Sequence, residues 1–177
     1  MITAFAFALV MILLTFGQDA RWLPLYGIAC AVACGLVQNG FLAAFSVGVL
    51  IVFNFGAWLA LRSYGEPPGP LQGQLRGLLP IVLTLLLELV LALAGASVGL
   101  AALLAVALVV GALCLVGTGT PLTQFCGLLM AADGLMVLGC VLSSWGLCLT
   151  AVALWAVLAL LGRLLLPRLV WRRSEAY

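Results

Sequence analysis

From Thr120 to Leu142 the chain is apolar over a length that crosses a bilayer, and one carboxylate, Asp133, stands near the middle of that run. A helix needs about 20 apolar residues to span a hydrocarbon core. Pro121 sits where a first helical turn tolerates it, and Thr118 or Thr120 is placed to cap it. An ionisable side chain at mid-depth is costly, so it calls for a partner or a task. The rest of the chain is expected to pack as helices around this segment and around a second acid, Glu88.

Composition places all 177 residues in the membrane class. Hydrophobic residues make up 67% of the chain, charged residues only 7%, and the mean hydropathy is +1.37. A soluble globule of this length needs more polar surface to cover itself. Long continuous apolar runs lack the alternation of a barrel, and helices satisfy their own backbone in lipid. The expected fold is therefore an all-α integral membrane bundle, residues 1–177 forming one transmembrane domain.

Breaks between apolar runs give seven segments: about 1–16, 23–37, 41–61, 77–94, 98–116, 120–142 and 147–166. The first reads as a retained helix, since Met1 is followed by no positive region and Gly17 to Arg21 resembles a loop more than a cleavage site. Gln38-Asn39-Gly40 and Ser143-Ser144-Trp145-Gly146 read as turns, as do Gly95 to Gly99 and Gly117 to Pro121. Residues 62–76 form the longest hydrophilic connection, centred on Glu66-Pro67-Pro68-Gly69-Pro70. Pro167 is expected to stop the last helix.

The seven basic residues are all arginine, and the chain has no Lys and no His. They fall after the first segment (Arg21), after the third (Arg62, Arg76) and from the end of the seventh onward (Arg163, Arg168, Arg172, Arg173). Connections after odd-numbered segments share one side, so every arginine lies on the side that charge bias marks as cytoplasmic. This predicts an amino terminus outside and a cytoplasmic carboxyl terminus. The arginines are too few and scattered to track phosphates, so no nucleic acid partner is expected; the bilayer itself is the first partner.

Two groups carry chemical interest. Glu88 and Asp133 each lie eleven residues beyond a helix start, at Gly77 and Leu122. At 1.5 Å per residue both sit roughly 16 Å in, close to the midplane. Two carboxyls at one depth, on helices of one direction, suit a lateral proton relay. Asn54, Thr84 and Gln124 are placed to lend polar support. The plainer reading has each protonated acid bonding a neighbouring helix, and Asn54 and Gln124 serving as interhelical glue. The six cysteines all fall in apolar runs. Cys30 and Cys34 share a helix face, but no second pair, His or nearby acid completes a ligand set, so they read as soft packing residues. No catalytic, metal or cofactor-binding set is legible in this chain.

Gly111, Leu113, Cys114, Val116, Gln124, Gly127 and Gly134 stand in one ungapped register. In this stretch the chain resembles component E of hydrogenase-4, a membrane subunit of formate-hydrogenlyase-type, complex-I-like energy-converting assemblies. The family pattern ends in Leu-Met-Glu-Asn-Gly, where this chain has Met130-Ala131-Ala132-Asp133-Gly134 at the aligned positions. Ala132 stands at the family's Glu, and Asp133 at its Asn, which turns the carboxylate about 100° around the helix. A weaker similarity covers Trp22 to Tyr64, where the family often places a Lys near Asn54.

What the resemblance implies is a non-catalytic membrane-arm subunit of a group 4 [NiFe]-hydrogenase-type oxidoreductase, in the inner (plasma) membrane of a bacterium. Its partners would be antiporter-like and small hydrophobic chains, with iron–sulfur clusters and the nickel–iron centre on peripheral redox subunits. Proton or sodium translocation would then be a property of the whole arm. Two other readings remain open: a small subunit of a multi-subunit cation/proton antiporter, and a membrane scaffold without ion transport.

Overall fold

The computed structural model describes residues 9, 10, 13, 22–61, 98–116 and 121–174. Among them the chain forms five helices: α1 (Leu23–Val37), α2 (Phe41–Leu61), α3 (Val98–Val116), α4 (Pro121–Val141) and α5 (Trp145–Ser174). This is a helical membrane protein. α2, α4 and the Trp145–Pro167 part of α5 are long and apolar enough to cross a membrane, while α1 and the Ala101–Cys114 part of α3 are shorter apolar helices. The expected first and fourth segments, the 62–76 connection, and the turns at 95–97 and 117–120 lie outside the described residues, apart from 9, 10 and 13.

α4 is the centre of the bundle. It is 72% buried over its most apolar window, against 33% for α2 and 22% for α5. It packs on α1, α2, α3 and α5, most extensively on α3. Close approach depends on glycine. A Cβ at Gly134 would meet Val109 of α3 at 3.1 Å, and one at Gly139 would lie 3.0 Å from the Cys148 backbone nitrogen in α5. Such small residues let helices meet where lipid removes any hydrophobic drive between them. Outward faces carry the opposite composition: Val52, Leu59, Leu149, Leu160 and Leu164 are more than half exposed. In a spanning bundle these side chains meet acyl tails.

The two described turns have local causes. α1 opens with a proline in its first turn and closes where the Gln38 N–H donates to Cys34 O at 3.0 Å and the Gln38 backbone turns extended. Gly40 then takes φ 109°, a conformation that side chains resist. α4 closes with Ser144 N–H donating to Gly139 O at 2.8 Å and Ser143 N–H to Cys140 O at 3.1 Å. That bond pair, with Ser143 at φ 53°, is a Schellman ending built on serine instead of glycine. Ser144 Oγ accepts the Leu147 N–H at 3.4 Å and caps α5.

α5 corrects one expectation. It starts at Trp145, because Ser144 caps it there, and runs through Pro167 to Ser174 instead of stopping. Proline removes one N–H and crowds the carbonyl four residues back, here that of Arg163. The loss is a single bond in a long helix, and the chain does not break for it.

Candidate functional site

Asp133 is 2% exposed, and the helices around it were each shaped to reach it. From α2 comes Asn54, fully buried, its Nδ2 donating to the Leu50 carbonyl one turn back at 2.9 Å. That bond fixes the amide so that its oxygen is the free atom. Asn54 fits only because α1 has Gly27 opposite: a Cβ there would lie 2.6 Å from Asn54 Cβ. From α5 comes Trp155, packed at a tilt of 33° against Phe53 of α2 with centroids 4.6 Å apart. From α1 come Tyr26, whose hydroxyl donates to the Met130 carbonyl at 3.3 Å, and Cys30; both lie within electrostatic range of the Asp133 carboxyl.

Asn54 and Trp155 both bear on the carboxyl. Among the described residues, Asp133 Oδ2, Asn54 Oδ1 and Trp155 Nε1 are three buried polar atoms without a hydrogen-bond partner. Each such orphan costs about 1–3 kcal/mol. The indole N–H can serve a carboxyl oxygen in either protonation state, but the Asn54 oxygen is met only by a protonated acid. An ionised carboxylate has acceptors alone, whereas a protonated one also has an O–H. The O–H matches the Asn54 oxygen, and the other carboxyl oxygen matches the indole N–H. The protonated acid is thus the form that offers a counterpart to both the Asn54 oxygen and the indole N–H.

The remaining sequence candidates separate. Gln124 is exposed. It lies nine residues before Asp133, which at about 100° per residue puts it on the opposite face of α4. Glu88 and Thr84 lie outside the described residues, so the paired-acid arrangement is not visible. Tyr26, Trp155 and Gly27 are participants that the reading of charges and amides passes over. For Trp155 the signal was spacing: Cys148, Ala151, Trp155, Gly162 and Leu166 recur at three, four and seven residues and all are buried.

A second polar cluster lies toward the end of the bundle formed by the two described turns. Cys34, Cys140 and Cys148, one each from α1, α4 and α5, meet around Ser46 of α2. Ser46 Oγ stands 3.8 Å from Cys148 Sγ, which also approaches the Met136 carbonyl at 4.0 Å. Cys30 and Cys34 therefore share a face but serve different clusters. All described cysteines are free thiols. Among the described residues no group of three or more His, Cys, Asp or Glu is arranged to hold a metal ion. Compared with protein-family models, curated proteins and solved structures, the chain finds no match.

Proposed function

We propose that this chain is a non-catalytic membrane-arm subunit of an energy-converting, complex-I-like oxidoreductase of the group 4 [NiFe] hydrogenase kind, and that Asp133 holds a proton at mid-membrane within it. The observation that carries the proton-holding role is the orphaned trio of Asp133 Oδ2, Asn54 Oδ1 and Trp155 Nε1. Intramembrane carboxyls of this kind mark proton paths or structural bonds, and a site that offers counterparts to the protonated form suits holding a proton. The assembly is suggested by the resemblance between Gly111 and Gly134. In this reading the chain crosses a bacterial inner membrane seven times, amino terminus outside. Its partners are antiporter-like and small hydrophobic chains and peripheral redox subunits that carry the iron–sulfur and nickel–iron centres. Glu88 would be the second station of a relay.

The test has two arms. In mild detergent, co-purification with subunits bearing nickel–iron or iron–sulfur centres supports the assembly. Large antiporter-like chains alone would move it to a cation/proton antiporter, and a lone monomer or homo-oligomer would make it a scaffold. Asp133→Asn, which keeps a donor and an acceptor beside Asn54 and Trp155 and loses the proton site, should slow coupled ion movement while the complex still assembles. Unchanged pumping would leave Asp133 a structural bond only.

A further inference from the structure

A groove of about 760 Å³ runs between α2, α4 and α5, lined by Gly56 and Ala57, Phe125, Trp155, Gly162 and Arg163 among others. It exists because the facing residues are small: a Cβ at Gly56 meets nothing within 4 Å. At Gly162 the side-chain space is taken by the Phe125 ring, which wedges α4 against α5. One rim carries Val52 and Leu59, which are 66% and 53% exposed on a membrane-spanning helix. The groove therefore opens onto the surface that acyl tails cover.

Among the described residues, Arg163 is the one charged residue of the lining. It sits two turns beyond Trp155, roughly 12 Å along α5. The only acid among the described residues is Asp133, buried behind Trp155 and not joined to Arg163 by an ion pair. An apolar trough with a single cation at one end is complementary to an amphiphile with an anionic head. Basic pockets between transmembrane helices hold anionic lipid head groups in this way.

We infer that the groove is a binding site for one anionic phospholipid, its phosphate against Arg163 and an acyl chain lying along Gly56 toward Trp155. The bound chain covers the outer side of Trp155 and so closes the Asp133 cluster from the bilayer. The inference is independent of which assembly the chain joins.

The experiment is native mass spectrometry of the protein, with any subunits that co-purify, in an acyl-matched mixture of phosphatidylglycerol and phosphatidylcholine. One tightly held phosphatidylglycerol is expected. Arg163→Gln should lower the anionic preference roughly fivefold, the effect of one basic residue near an anionic lipid, and Arg163→Lys should keep most of it. Gly56→Phe fills the trough and should remove the bound lipid, with helix content unchanged by circular dichroism. Lipid retained by Gly56→Phe, or the same lipid ratio in Arg163→Gln, overturns the proposal. Should Gly56→Phe fail to fold, the arginine pair decides alone. Displacement of the lipid by a stoichiometric quinone also overturns it.

Discussion

Ser143 donates its hydroxyl proton to Gln38 Oε1 over 3.1 Å, tying the turn after α4 to the turn after α1. Phe41 and Phe45 reinforce the junction, with ring centroids 5.8 and 5.6 Å from that of Trp145. Both turns lack charge, so two uncharged connections share one end of the bundle, as a charge-sorted topology requires. Short epitope insertions after Asn39 and after Ser144 should be reached by antibody from the same face of sealed vesicles, opposite to a tag at the carboxyl terminus. Exposure of the two insertions on different faces would break the topology.

Asparagine at position 133 reproduces the donor and acceptor of a protonated aspartic acid. Asp133→Asn should unfold within about 0.5 kcal/mol of the parent in detergent, because it can serve both Asn54 Oδ1 and Trp155 Nε1. Asp133→Ala removes the only group that both atoms are placed to reach among the described residues, and should cost about 1–3 kcal/mol. Thermal melts of the two variants, side by side, measure the difference. A carboxylic C=O stretch in the infrared, present in the parent and absent from Asp133→Asn, reports the bound proton directly.

Gly27 is the recess into which Asn54 fits. Gly27→Ala places a methyl 2.6 Å from both Cβ and Cγ of Asn54, so α1 and α2 must separate or the amide must turn away. The expected cost is about 1–3 kcal/mol, the usual range for overpacking. The infrared signature of Asp133 should shift with it. A silent Gly27→Ala would mean that Asn54 does not occupy this recess.

Gly139 and Gly56 make a matched pair of helical glycines with opposite surroundings. Alanine at 139 would press on Cys148, at 2.7 Å from its sulfur and 3.0 Å from its backbone nitrogen, and should destabilise by about 1–3 kcal/mol. Alanine at 56 meets open space and should stabilise by about 0.5–1 kcal/mol through helix propensity. The two melts should move in opposite directions.

Helix bounds were legible from the sequence because punctuation sets them. The edges of α1, α2 and α3 fall where Pro24, Gly40 and the ends of apolar runs put them. Pro167 is the exception, since punctuation weighs less in a long helix whose other bonds persist. Helix faces were not legible in the same way. α1, α2 and α4 are apolar all round, so no stripe announces which side meets protein and which meets lipid. Asn54 and Gln124 look alike as isolated amides, yet only one turns toward Asp133. What separates them is the glycine opposite Asn54, a relation between two helices that no single segment displays.

The α4–α5 hairpin is fastened unequally along its length. Near the turn, Gly139 seats the Cys148 backbone; farther down, an aromatic ring is interposed at Gly162. Sliding by one residue would bring Leu138 or Cys140 to the seat, which has no room for either. The two rods are therefore locked in register at the turn, and farther down the thickness of the Phe125 ring sets how far apart they stand.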